Sequence, residues 1–463
     1  MELAGRHGAV LVLGDIGRSP RMQYQALSLS KHGARIALIG YRGSQPFSDV
    51  VADKNITIYY LPEWVYRPKS RIMFIASVPF RIFFECLVIL YTLICLIPHP
   101  SFILVQNPPS IPCLIIAKIA SLVFRSDFII DWHNFGFTIL GLRLGRSHPF
   151  VKIAYLYEKI CGRMADQSIC VTGAMQKELS LNWKVQASVL HDRPPAKFRR
   201  LTLDKIHEFF VNFQKSGLLD EASDWLPPVS ERKKRTVITE KADGIVRYRE
   251  GRPAVIVTST SYTPDENIGM LLDALLMYDR NHTASDPRLL VIITGKGPLM
   301  EFYSKEIALL SLEHVKVIQV WLSADDYPRI LGSADLGVSL HISSSGLDLP
   351  MKVVDMFGSG LPVCAVGFPC LDELVIHRKN GLVFHSSAEL KQQLSVIFNN
   401  DSLLSDMRQA LNQFIAVRWD DCWNQNALPC FIKAPKPTTL RFYVISGLLT
   451  LLSIRFIISM YNL

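Results

Sequence analysis

The sequence predicts an α/β fold of two Rossmann-like, doubly wound domains facing across a cleft. Three observations predict it. Short apolar, β-branched runs alternate with amphipathic helical patterns along most of the chain, the rhythm of βαβ units. That rhythm stops at His191-Asp192-Arg193-Pro194-Pro195 and resumes at Ala254. Paired prolines cannot continue a central strand, so the stop reads as a hinge. Finally, 463 residues, 49% of them hydrophobic, exceed what one ordinary core accommodates.

The first domain is expected over residues 1–195. Strands are predicted at 9–13, 35–39, 56–60, 102–105, 128–131, 168–171 and 186–190, with helices at 20–32, 111–124 and 149–164. The run at 9–13 leads straight into Gly14, so it reads as a strand and not as the core of a signal peptide. Residues 196–252 form a hinge and a polar insertion, whose charged tract around Ser230–Arg235 reads as a solvated surface loop. The second domain is expected over 253–430. Its strands fall at 254–259, 289–294, 315–319, 336–341, 363–365 and 381–384. Its helices fall at 266–278, 298–310, 325–331, 349–357 and 388–399, with a long closing helix at 409–423. Residues 431–463 form an apolar tail, of which 440–463 has spanning length and reads as a membrane anchor despite Arg455. That arginine costs roughly 2.5–3.5 kcal/mol on insertion scales.

The net charge of +9 suits anionic partners: phosphates or an acidic membrane surface. No zinc-finger spacing, RNP motif or Arg-rich helix accompanies it, so nucleic acid is not an expected partner. The nine cysteines are scattered, with no C-x-x-C, which fits a reducing compartment. Residues 72–97 are long and apolar but carry Arg81 and Glu85 one helical turn apart. They read equally as an interfacial helix or a buried domain helix.

Four loops at predicted strand ends carry the chemistry. Gly14-Asp15-Ile16-Gly17-Arg18-Ser19-Pro20-Arg21 follows the first strand. Gly14 and Gly17 permit a tight turn, and Arg18 and Arg21 are spaced to reach an anion at the helix start, such as the diphosphate of an acceptor. Asp131-Trp132-His133-Asn134 clusters polar groups at a later strand end of the same sheet. In the second domain, Thr294-Gly295-Lys296-Gly297-Pro298 offers turn amides and a lysine to a donor phosphate. The stretch that organises the chain follows: strand 336–341, the loop Ser343-Ser344-Ser345-Gly346 with Asp348, then a helix bearing Lys352 and Asp355. Loop amides and Lys352 suit a diphosphate, and Asp355 suits the cis-diol of a ribose. No D-x-D pair occurs, so no obligatory metal is expected, a divalent cation being at most an aid.

Pro350-x-Lys352-x-x-Asp355 followed by Gly360-Leu361-Pro362-Val363 resembles the P-x-K-x-x-E segment of GT-B glycosyltransferases, with Asp in place of Glu. Taken with the Gly14–Tyr24 loop, Asp131–Asn134, Tyr157-Glu158-Lys159, Ala334–Gly337 and Arg418–Asp421, the motif set resembles the chitobiosyldiphosphodolichol β-mannosyltransferase family from about residue 9 to about 429. The resemblance implies an inverting β-1,4 transfer of mannose from GDP-mannose to dolichol-diphosphate-linked chitobiose, the first mannosylation of the lipid-linked N-glycan precursor. It also implies the endoplasmic reticulum membrane, with the catalytic domains on the cytosolic face, and other early N-glycan transferases as partners. Within it, Asp15 or His133 is the expected base, Gly14, Gly17, Arg18, Arg21 and Asn134 hold the acceptor, and Gly295, Lys296, Gly297, Ser343, Ser344, Ser345, Gly346, Asp348, Lys352 and Asp355 hold the donor. The rival readings are a UDP-sugar transferase of the same fold and a non-catalytic subunit that recruits another transferase to the membrane.

Overall fold

The computed structural model describes residues 2–432 apart from 67 and 69; the expected anchor at 440–463 lies outside the described residues. The chain divides into two compact units, one reaching to His191 and rejoined from Asp420, the other Asp192–Trp419.

In the first unit the strands are β1 (His7–Asp15), β2 (Arg35–Tyr41), β3 (Ile56–Leu61), β4 (Phe102–Asn107), β5 (Asp127–Trp132), β6 (Gln167–Cys170) and β7 (Ser188–Val189). Among the described residues they form one parallel sheet in the order β3-β2-β1-β4-β5-β6-β7. Ala9–Val12 and Ile103–Val105 are fully buried, as expected of central strands covered on both faces. The order reverses between β1 and β4, and ligands of such sheets bind beyond the carboxyl ends at that switch point.

Residues from Asp420 pack on this unit, so the second domain ends at 419 and not at 430. The physical reason is local. Trp423 Nε1 donates to Gln25 Oε1 at 2.6 Å, Arg6 donates to the Phe431 carbonyl at 2.6 Å, and the Phe431 ring meets Phe102. The expected closing helix is two helices, Asp401–Ala416 and Trp419–Asn426.

The helix Arg71–Tyr91 is not a wholly buried domain helix. Phe80 and Phe83 are 67% and 60% exposed, whereas Ile89 and Leu93 beyond are buried. By length and composition, Ala76–Leu96 is apolar enough to cross a membrane.

The insertion is folded. Its helix Leu203–Lys215 buries Ile206, Phe209, Phe210 and Phe213, the i, i+3, i+4, i+7 pattern of a core-facing stripe. A hairpin follows, β8 (Thr239–Ala242) and β9 (Ile245–Tyr248). The charged tract hid this apolar stripe, because its polar residues outnumber the four that pack.

The second unit's strands are β10 (Ala254–Thr260), β11 (Leu289–Gly295), β12 (Val315–Val320), β13 (Leu336–Ser339), β14 (Val363–Val366) and β15 (Gly381–Phe384), parallel in the order β12-β11-β10-β13-β14-β15. Alternate residues feed two cores: Val255, Val257, Leu290 and Ile292 on one face, Ile256, Leu289, Val291 and Ile293 on the other. Asp335 fastens the amino end of this sheet. It takes two bonds from Arg252 at 2.7 and 2.9 Å and one from the Val255 amide at 2.9 Å. The switch point lies between β10 and β13.

Phe210 is fully buried in this core. Truncating it to Ala is expected to cost about 3–5 kcal/mol. Thermal unfolding of Phe210→Ala would show this as a lowered Tm for the second unit; an unchanged Tm would return the insertion to a dispensable loop.

Candidate functional site

Two groups of loops lie at carboxyl edges of the sheets, one in each unit.

In the first unit, Asp15 ends β1 and caps the turn Ile16–Arg18. Its carboxylate accepts from the Gly17 amide at 2.9 Å and the Ser44 amide at 2.8 Å. Burial alone would raise its pKa, but these amides, the Ser44 hydroxyl and nearby Arg18 together lower it, so it is ionised at neutral pH. A Cβ on Gly17 would lie 2.2 Å from the Ser44 carbonyl, so that glycine admits the 44–45 backbone and not a ligand; Gly14 meets no such obstruction. Arg18 stays exposed, 3.1 Å from the Ser44 hydroxyl.

Arg21 corrects the expectation that it reaches an anion. It is buried, with Nε and Nη2 on the two oxygens of Asp131 at 2.9 and 3.0 Å and Nη1 on the Leu190 carbonyl at 2.8 Å. Gln25 adds a third bond to Asp131 at 2.9 Å. Burial opposes ionisation of Asp131, but Arg21 and His133 hold its pKa far below the usual carboxylate range. His133 Nε2 stands 3.2 Å from Asp131 and its side chain is 22% exposed. Asn134 Oδ1 accepts from the Phe135 amide at 2.7 Å, which ties it into the start of the helix Gly136–Leu144. Glu158, which sequence reasoning placed only within a motif, accepts from Asn107 at 2.5 Å and from the Gly136 and Phe137 amides at 3.0 and 3.2 Å. Burial nevertheless raises its pKa to about 7. Glu158 thereby fixes the loop that carries His133.

In the second unit, the loops after β10, β11 and β13 share the switch-point edge. Gly295 has φ +148°, and a Cβ there would lie 1.7 Å from the Thr260 carbonyl; one on Gly297 would lie 1.6 Å from that of Ser261. Both glycines therefore admit the neighbouring loop, a packing requirement beside the expected role of their turn amides. Lys296 is exposed, its Nζ 4.7 Å from the centre of the Trp321 ring.

The 343–348 loop is closed by its own hydroxyls. Ser343 Oγ donates to Asp348 and accepts from the Gly346 amide at 2.9 Å, and Ser345 Oγ accepts from the Leu347 amide at 3.1 Å. Ser344 lies within this turn, and Gly346 takes φ +75° to complete it. The serine oxygens thus occupy the Gly346 and Leu347 amides. Lys352 is not a free cation: it pairs with buried Glu266, which also accepts from Thr260 Oγ1 at 2.8 Å and the Ser261 amide at 2.6 Å. Asp355 is half-buried. Burial pushes its carboxyl up to about 8, Lys197 only partly opposing and Asp192 adding to the rise.

Sequence reasoning missed Glu266 and His341. His341 stands between Asp265 at 3.3 Å and Asp348 at 3.7 Å. Burial would lower its pKa, but the bonds to the two carboxylates prevail and raise it to about 9. A lone His beside the serine run gave no signal, because its partner Asp265 is reached only when the β10 and β13 loops are neighbours.

Similarity to known proteins follows this geometry. Glycosyl transferases group 1 matches residues 246–414, which span the second sheet. UDP-glycosyltransferase TURAN of Arabidopsis thaliana is 44% identical over 456 residues, covering 92% of this chain and 97% of that protein. Chitobiosyldiphosphodolichol beta-mannosyltransferase of Homo sapiens is 42% identical over 438 residues, covering 92% of each. The chain belongs to the chitobiosyldiphosphodolichol β-mannosyltransferase family. Its members are glycosyltransferases, and so is this enzyme. At the level of fold, sucrose-phosphate synthase from Thermosynechococcus elongatus aligns with a TM-score of 0.62 at 12% identity, covering 90% of this chain and 96% of that one. Anabaena Alr3699/HepE in complex with UDP-glucose aligns with a TM-score of 0.58 at 16% identity, covering 91% and 98%. The two sheets of this family member are accordingly the two Rossmann-like domains of a GT-B glycosyltransferase.

The raised His341 pKa has a defined sign. A histidine raised from about 6.5 contributes stability that is complete below about pH 6.5 and lost as pH rises through about 9. Thermal unfolding of the wild type should weaken over that window, and His341→Gln should flatten the dependence. An equal pH slope in both proteins would detach His341 from the two carboxylates.

Proposed function

We propose that this enzyme transfers mannose from GDP-mannose to GlcNAc₂-diphosphate-dolichol with β-1,4 linkage, the first mannosylation of the lipid-linked N-glycan precursor. The observation that carries the proposal is 42% identity, across 92% of both chains, to a human protein named for that acceptor. The second unit binds the donor. Asp355 holds the ribose: half-buried and protonated in the free enzyme, it has one hydrogen-bond donor and several lone pairs to offer a diol. The diphosphate displaces serine hydroxyls from the 346–347 amides, and Lys296 supplies charge to the departing oxygen. With no D-x-D pair, that work falls to these groups, a divalent cation being an aid only.

The first unit binds the acceptor. An α-linked donor giving a β product requires one in-line displacement. The acceptor oxygen bonds to C1 as the C1–phosphate bond breaks, and a base removes the hydroxyl proton. Asp15 is our assignment for the base, being ionised and lining an open cavity. Sugar docking would strip water from it and raise its basicity. His133 is the second candidate, because its Nε2 stands 3.2 Å from buried Asp131. The exposed Phe80 and Phe83 support a lipid-facing helix, consistent with action at the cytosolic face of the endoplasmic reticulum membrane beside other early transferases.

A second donor has one specific support: the Arabidopsis relative carries the name UDP-glycosyltransferase. Incubating the purified chain with labelled GDP-mannose or UDP-sugars and chitobiosyl-diphosphate-lipid decides between them. Turnover with GDP-mannose to a β-linked trisaccharide is expected; turnover with UDP-sugars alone would reject the mannosyl donor. In the same assay Asp15→Asn should lower kcat about 10²–10⁴-fold. Asp355→Ala should instead raise the donor KM, with little change in the acceptor KM.

A further inference from the structure

We propose that a cavity in the first unit, of about 580 Å³, is the seat of the acceptor's neutral amino-sugar pair and that Trp64 is its recognition residue. The assignment rests on the acceptor reading above and gives it a location. The cavity opens at the carboxyl ends of β1, β2 and β3. Asp15 and Tyr41 are the last residues of their strands, Glu63 and Trp64 follow β3, and the helix Arg71–Tyr91 walls the far side with Arg81 and Glu85. Its size falls within the range of small-ligand sites, roughly 300–1,000 Å³.

Three observations fix the chemistry. The first is an unmet donor. Trp64 Nε1 is buried and, among the described residues, has no hydrogen-bond partner, whereas its ring is packed against Phe84 at 5.5 Å. Buried indole N–H groups are normally satisfied, so this one points to a ligand acceptor such as an amide carbonyl or a hydroxyl. The second is charge. Among the described residues the lining carries three carboxylates (Asp15, Glu63, Glu85) and two guanidiniums (Arg42, Arg81). Arg81 is paired with Glu85 at 2.9 Å, and Arg42 lies over the Tyr60 ring at 4.7 Å. Such a lining does not attract a diphosphate. It suits an uncharged ligand rich in donors and acceptors, because carboxylates accept from hydroxyls and aromatic rings cover the sugar's C–H face. The third is the position of Asp15, which lines this cavity, where a sugar hydroxyl would need a base.

Isothermal titration of the full chain in detergent with chitobiose, and separately with GDP, tests the assignment. Wild type is expected to bind chitobiose, and Trp64→Phe, which keeps a ring against Phe84 but removes the N–H, to bind it about tenfold more weakly. GDP affinity should stay at the wild-type value, which reports that the variant is folded. Glu63 is exposed, so Glu63→Gln is a second variant that spares folding; it should weaken chitobiose binding about threefold. Wild-type chitobiose affinity in both variants, or a wild-type chain that binds GDP but not chitobiose, would overturn the assignment. Trp64-dependent chitobiose binding by a chain that transfers no mannose would sustain it and reject the proposed reaction instead.

Discussion

Each sheet buries a carboxylate near its carboxyl edge and neutralises it with a cation from an adjacent helix. Asp131 is met by Arg21 in the first unit, and Glu266 by Lys352 in the second. An unpaired carboxylate there would be several kcal/mol unfavourable, so neither partner is dispensable. The consequence reaches the loops. Asp131 also lies 3.2 Å from His133 and shares Gln25 with Trp423, so one charge links the helix Pro20–Lys31, the end of β5 and the returning helix Trp419–Asn426. Glu266 gathers Thr260, Ser261 and Lys352, joining the ends of β10 to the helix that follows β13.

These pairs give Arg21 and Lys352 structural partners that the sequence did not announce. Arg21 and Lys352 carry the charge and spacing of phosphate ligands, and nothing in a linear pattern separates a cation bound for a ligand from one bound for a buried carboxylate. Their partners stand 110 and 86 positions away. The glycines tell the same story. Gly295 and Gly297 look like phosphate-turn residues, yet their missing side chains make room for the 260–261 backbone of the neighbouring strand.

The strands were legible because both faces of a parallel sheet are covered, which writes continuous apolar runs into the sequence. The Ser343–Asp348 loop and the β1 loop were legible as well, since small and polar residues interrupt those runs at strand ends. What stayed hidden depends on tertiary neighbours. Glu266 and His341 acquire a role only when the β10 and β13 loops lie side by side, and Trp64 only when Phe84 of the helix Arg71–Tyr91 packs against its ring. The folded insertion was obscured by composition, because four buried apolar residues in one helix are outweighed by the charges around them.

In the second unit serine oxygens hold the Gly346 and Leu347 amides, and His341 stands between Asp265 and Asp348 beside them; the donor site proposed above lies at these groups. Hydrogen–deuterium exchange with and without GDP tests this most directly. The amides of 260–266, 295–299 and 343–352 should gain protection together when GDP binds, with the first sheet unchanged. Bound GDP that left those three segments exchanging at the free rate would contradict the assignment of the switch-point edge to the donor.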